Sequence, residues 1–262
     1  MSYTTALHNP IPMAGRAAVV SLVSRPVPQA RHAASCGSCC LRGVCLPCGM
    51  SEAEINRFDE LISTKRKVAR GATLYRAGER FEAVYAVRSG GFKTVGNSRH
   101  GDEKITGFHL PGEMLGLDAI NSAQHGYDAV ALEDSEVCVF PFGQLESAAM
   151  KSPALQHQLF RTLSSDISRD QGLMLLLGAM SAEQRLAAFI LSLSRRYQRL
   201  GFAPNRFVLR MTREEIGNYL GLTLETVSRT LSRFQRDGLI TVQQRDVELR
   251  NPDRLMELVG HR

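Results

Sequence analysis

No apolar run near the start of this chain is long enough to cross a bilayer. The longest, Ala17 to Val23, is short and lies between prolines and arginines. Residues 1 to 34 therefore read as a mobile tail, not a signal or anchor, and the protein as cytoplasmic. There is no Walker-type phosphate loop and no nucleophile elbow, which argues against the commonest nucleotide-hydrolase and esterase chemistries. Lysine is missing from Ser181 to Arg262. Cysteine is scarce outside one short stretch: five of the six lie between Cys36 and Cys48, and Cys138 stands alone.

The clustered thiols read Cys36-Gly-Ser-Cys39-Cys40-Leu-Arg-Gly-Val-Cys45-Leu-Pro-Cys48. Without a secretory signal, such a cluster points to metal or redox chemistry, not to a disulfide framework. Spacing alone leaves the metal open. Cys36-x2-Cys39-x5-Cys45-x2-Cys48 has the look of paired zinc knuckles, and iron–sulfur ligation uses the same donor type.

The net charge of +6 is uneven. Ser181 to Arg262 holds fourteen Arg against nine acids, giving +5, and the first 180 residues give +1. A basic C-terminal third suggests a polyanionic partner.

Ser51 and Glu54 form a capping box for a helix over residues 51 to 62. From Lys67 to Phe142, short apolar runs alternate with glycine turns, as in a compact antiparallel roll. Tyr85 to Val87, Ile105 to Phe108 and Val137 to Phe140 are strands of it. Pro153 to Gly178 is helical. Phe160, Leu163, Ile167, Asp170, Met174 and Leu177 follow a 3-4-3-4-3 spacing, the seam by which two helices pack lengthwise. Asp170 would face its own copy across a two-fold axis. Carboxylates about 4 Å apart repel by roughly 4 kcal/mol at an intermediate dielectric, so the seam favours dimers only weakly. A second capping box, Ser181 and Gln184, starts a helix running to about Leu200.

Residues 212 to 236 have helix-turn-helix spacing. Thr212 and Glu215 cap the first helix, Gly221 turns the chain, and Thr223 caps the second. Val227, Leu231 and Phe234 form the buried stripe of that second helix. Glu225, Ser228 and Arg229 cluster near its N-terminus, where a recognition helix enters the major groove. Their donors and acceptors suit base edges. Leu239 to Val242 and Val247 to Leu249 are the strands of a wing.

Gly101 to Leu110, Glu183 to Arg196 and Met211 to Arg229 resemble the FNR (fumarate and nitrate reduction regulator) branch of the cyclic-AMP receptor protein superfamily. The resemblance covers about Cys36 to Gly260. It implies an α+β chain with four parts: a tail (1–34), a sensor domain with cysteine loop and β-roll (35–150), a dimerisation helix (151–180) and a winged helix-turn-helix (181–262). It implies an oxygen-responsive transcription regulator, not an enzyme. A [4Fe-4S] cluster would be held by Cys36, Cys39, Cys45 and Cys138, and its presence would favour a homodimer bound to a palindromic double-stranded DNA site. Glu225, Ser228 and Arg229 match the family's base readers, and Ile167 and Asp170 match its seam. RNA polymerase is an implied partner, with Asn97 to Lys104 a candidate contact. Cys40 and Cys48 exceed the four-ligand pattern. Gly112 to Leu132, where the superfamily places a phosphate-binding Arg, has no Arg or Lys, which disfavours a cyclic nucleotide. Other readings are a zinc-stabilised or thiol-redox regulator of the same fold, an iron–sulfur electron carrier, and a haem sensor, for which no motif speaks.

Overall fold

A computed structural model of the chain describes residues 35–61, 64–97 and 102–260; the expected tail lies outside them. Helix α1 (Glu52–Asp59) carries the predicted capping box: the Ser51 side chain accepts from the Glu54 amide, and the Glu54 carboxylate accepts from the Ser51 amide. It ends earlier than the apolar spacing suggested. Strands β1 (Thr64–Val68), β2 (Thr73–Tyr75), β3 (Ala83–Ser89), β4 (Phe92–Asn97), β5 (Glu103–His109), β6 (Met114–Leu115), β7 (Asp128–Ala131) and β8 (Ser135–Pro141) follow. They form two antiparallel four-stranded sheets, ordered β1-β8-β3-β6 and β2-β7-β4-β5. Val87, Phe92, Leu115, Ala129 and Val137 fill the space between them.

Helix α2 (Phe142–Ala149) leads into the long α3 (Pro153–Ala179), capped by Ser152 with proline in the first turn. Leu155 is its one fully buried residue. Phe160, Ile167 and Met174 are 59%, 56% and 73% exposed, so the predicted seam is an apolar stripe without cover in a single chain. Asp170 is exposed, and Leu163 and Leu177 are half-buried. A core helix of a monomer would bury this stripe; α3 does not.

Helix α4 (Ala182–Arg199) starts at the Ser181–Gln184 capping box and buries Leu186, Phe189, Ile190, Leu193 and Tyr197. Then come β9 (Arg206–Val208), α5 (Arg213–Leu220), α6 (Leu224–Arg236), β10 (Ile240–Gln243), β11 (Asp246–Leu249) and α7 (Pro252–Val259). The wing is three-stranded, ordered β10-β11-β9. Its core is continuous with the roll: Ile105, Phe108 and Leu110 pack in one cluster with Phe189, Tyr219 and Leu220.

Candidate functional site

The cysteine loop is built from successive turns. The amides of Cys39, Arg42 and Cys48 donate to the carbonyls of Cys36, Cys39 and Cys45 at 3.2, 3.1 and 3.0 Å. Leu41, Leu46 and Met50 point inward and anchor it. Cys36, Leu46 and Met50 pack with Ile55 and Phe58 of α1, Val84 and Ala86 of β3, and Phe140 of β8, while Cys45 and Cys138 lie against the same cluster. Cys138 sits on the central strand β8, paired with Lys65 on one side and Ala86 on the other. Gln158 of α3 reaches the Cys45 carbonyl at 3.4 Å. The loop thus touches both the roll and the long helix.

Packing against one cluster with Cys36 and Cys45 brings the distant Cys138 near enough to perturb their thiols. Burial pushes the Cys36 thiol up, and Asp59, Cys45 and Cys138 push it further. Burial pushes Cys45 up to about 12, with Cys138, Cys39 and Cys48 adding to it. Burial also raises Cys138, and Cys39 contributes. Cys36 is buried and Cys39, Cys45 and Cys138 are half-buried, and as thiolates they would repel one another unless a cation offset their charge. Among the described residues, no three His, Cys, Asp or Glu side chains are grouped as ligands of one metal ion. Thiolate sulfur, the donor that Cys36, Cys39, Cys45 and Cys138 could each supply, suits soft metals and iron–sulfur centres. Cys40 is exposed on the loop's outer side, and Cys48 is half-buried beside Cys45.

The second half of the site is the helix-turn-helix. Thr212 and Glu215 form the predicted box, and Gly221 adopts a left-handed conformation, φ +64°. Gly217 lies so close to the next turn that a Cβ there would meet the Leu222 carbonyl at 2.7 Å. Val227, Leu231 and Phe234 are buried as expected. Glu225 and Arg229 are exposed, and Ser228 accepts from the Arg213 guanidinium at 3.3 Å. Hydrogen bonds from its own backbone and from Thr223 hold the Glu225 carboxyl below the usual range. Arg233, on the same outward side, is instead held by Glu183 and Asp237.

Comparison with known proteins decides the family. Residues 184–258 match the Crp-like helix-turn-helix domain, and residues 65–152 match the cyclic nucleotide-binding domain. The chain is 50% identical over 238 residues to the transcriptional regulatory protein btr of Bordetella pertussis, covering 91% of this chain and 98% of that one. It is 45% identical over 226 residues to the fumarate and nitrate reduction regulatory protein of Escherichia coli K12, covering 86% and 90%. The chain belongs to the FNR branch of the CRP superfamily. FixK2 from Bradyrhizobium japonicum superposes with a TM-score of 0.68 at 33% identity, over 74% of this chain and 96% of that one. Like the relatives named as regulators, this FNR-branch chain is a DNA-binding transcription regulator and not an enzyme. No helix among the described residues is long and apolar enough to cross a membrane.

Sequence reasoning missed the polar contacts that join the two halves. Glu113 follows the Gly112 turn. Its carboxylate accepts from the Leu110 amide at 2.9 Å and from Arg196 of α4 at 2.8 and 2.6 Å, and lies 3.7 Å from Arg169 of α3. Burial alone would raise this carboxyl, but Arg196 and Arg169 hold it down to about 2. Arg169 also donates to Asp166 at 2.6 Å. On the other side, Lys93 pairs with Glu215 at 2.8 Å, and Asn218 of α5 bonds the β5 backbone at Ile105 and Glu103. A cavity of about 500 Å³ between roll and α3 is lined by Thr94, Lys104, His109 and Arg169. Both cations are already partnered, Lys104 by the Asn218 carbonyl and Arg169 by the acids. No local motif marks such pairs, because their partners are far apart in sequence.

Proposed function

We propose that this chain is an oxygen-responsive regulator of anaerobic metabolism genes, active in the cytoplasm as a homodimer on a palindromic DNA site. Cys36, Cys39, Cys45 and Cys138 hold a [4Fe-4S] cluster, which supplies an oxygen-labile centre when bound. The single observation that carries this reading is the arrival of Cys138 beside the loop cysteines. A ligand set divided between β8 and a loop that touches α3 ties the centre to the helix carrying the uncovered seam.

The chain's own residues do the rest. Residues 35–150 act as sensor, 151–180 as dimerisation helix and 181–262 as DNA reader. Phe160, Leu163, Ile167, Met174 and Leu177 bury against a second copy, and Asp170 keeps that association weak. Glu225, Ser228 and Arg229 of each protomer read base edges, each good contact contributing about 1–3 kcal/mol of discrimination. Phosphate charge meets the Arg-rich C-terminal third. RNA polymerase is the further partner; of Asn97 to Lys104, residues 98–101 lie outside the described part. A cyclic nucleotide is disfavoured, since the cations lining the roll cavity are paired with protein groups.

The test is an anaerobic iron and acid-labile sulfide assay on wild type, Cys138→Ala, Cys40→Ala and Cys48→Ala. A brown-green protein that bleaches in air is expected, with the metal lost in Cys138→Ala and kept in the other two. A colourless protein holding stoichiometric zinc would overturn the reading in favour of the zinc-stabilised alternative.

A further inference from the structure

The ligand set leaves two thiols without a role, and they differ. Cys40 is exposed. Cys48 is half-buried, three residues after Cys45 in Cys45-Leu46-Pro47-Cys48, and its amide donates to the Cys45 carbonyl at 3.0 Å. That bond closes a four-residue turn, which keeps its end Cα atoms within about 7 Å. Disulfides bridge Cα separations of about 4.4–6.8 Å. The turn is held in place, since Leu46 is 1% exposed in the core beneath it and proline fixes φ at the third position. Cys48 also lines a cleft of about 470 Å³ between the loop, the Gly112 turn and α3. Arg161 and Arg199 on its walls have no ion pair among the described residues. The cleft's acids Glu113 and Asp166 are paired with Arg169, and Cys45 does not line it, so a small anionic reactant entering past Arg161 and Arg199 meets Cys48 first.

We propose that Cys45 and Cys48 form a dithiol–disulfide couple that operates when the metal centre is absent, with a low-mass anionic disulfide of the glutathione type as oxidant. The Cys48 sulfur attacks one sulfur of the oxidant, forms a mixed disulfide and releases one low-mass thiol. The Cys45 sulfur then attacks Cys48 Sγ and displaces the second. The two cysteines lose two electrons to the oxidant, and their two protons end on the released thiols. A dithiol reductant reverses both steps. The consequence rests on the reading of Cys45 as a ligand: the oxidised turn withholds one sulfur, so the centre cannot be rebuilt until the turn is reduced.

The sequence makes the test clean, because trypsin cuts after Arg42 and Arg57, and the peptide between them holds Cys45 and Cys48 alone. Full-length protein is freed of iron by chelation under reductant, equilibrated with oxidised and reduced glutathione, alkylated, digested and mapped by mass spectrometry. In wild type that peptide is expected to lose both alkylation sites and two hydrogens. Cys45→Ser should instead accumulate glutathione on Cys48, and Cys48→Ser should leave Cys45 alkylated. Two alkylated cysteines in the wild-type peptide, at a ratio that oxidises Cys36 or Cys39, would overturn the couple. Iron and sulfide uptake separates this from the ligand reading. Oxidised wild type should need a dithiol reductant to rebuild, and Cys48→Ser should not. A mapped disulfide with unhindered rebuilding would keep the couple and remove Cys45 from the ligand set.

Discussion

His109, Glu113 and Asp166 occupy one region between roll and α3, where burial decides the protonation of His109 and Asp166 and the arginines decide that of Glu113. Burial pushes His109 down to about 3, with Arg169 and Arg196 adding to it and Glu113 opposing. Burial pushes Asp166 up to about 6, opposed by Arg169 and assisted by Glu113 and Asp170. The two act oppositely on stability. A histidine lowered on folding stabilises fully above its unfolded value of about 6.5, and this is lost as pH falls toward 3. An aspartate raised on folding costs stability above about 6, and the cost is relieved as pH falls toward about 3.9. Each slope is about 1.4 kcal/mol per pH unit. Folded Glu113 titrates below this window, and its unfolded value of about 4.3 adds a further loss at the acid edge. His125, also lowered by burial, adds to the loss with acid, so between about pH 6 and 4.5 Asp166 offsets only part of the histidine loss in unfolding free energy from denaturant melts of the wild type. That free energy should fall more steeply with acid in Asp166→Asn, and less steeply in His109→Gln, than in the wild type. A profile no steeper than the wild type in Asp166→Asn would refute the assignment. None of this was legible in the sequence, since His109 and Asp166 become neighbours only when α3 crosses the roll.

At the scale of elements, caps and stripes were legible and edges were not. The capping boxes at Ser51, Ser181 and Thr212 appear as the residues dictate, because each is satisfied within four residues of chain. Strand β1 reads Thr-Lys-Arg-Lys-Val and has no apolar alternation; it is a strand because β8 supplies its hydrogen-bonding ladder. Two predictions belong here. Asp170→Ala removes the carboxylate expected to face its copy, and should yield a dimer that persists in air; a monomer by sizing chromatography under those conditions would count against the seam. Gly217→Ala forces α5 away from the Leu222 carbonyl, an overpacking cost of about 1–3 kcal/mol. A lowered melting temperature with weakened DNA binding is the expected outcome, and unchanged melting would show that the turn can yield.

On the scale of the whole molecule, one short turn joins three parts. Val44 of the cysteine loop packs where a Cβ on Gly112 would stand, at 2.8 Å. The next residue, Glu113, holds Arg169 of the long helix and Arg196 of the DNA-reading part. Removing one partner of this half-buried charge network leaves the others unpaired. Glu113→Ala should therefore loosen α4 from the roll while leaving metal content unchanged. Faster proteolysis or amide exchange around Met180 and Ser181, with wild-type iron, is the expected result. Unchanged exchange there would show that the apolar contacts of Phe108, Phe189 and Tyr219 suffice.

The sequence by itself determined the elements whose causes are local: the capped helices, the Gly221 turn, the amphipathic face of α6 and the cluster of thiols between Cys36 and Cys48. It also carried the family. Only the tertiary structure decided which groups meet across long stretches of chain. It brought Cys138 to the loop, set Cys48 beside Cys45 and apart from Cys40, left the α3 stripe bare, and placed Glu113 between two arginines of different helices. The physical reason is range. Backbone caps and periodic faces are satisfied within a turn or two, whereas charges and thiols in a dry interior take whatever partners the packing of distant elements supplies.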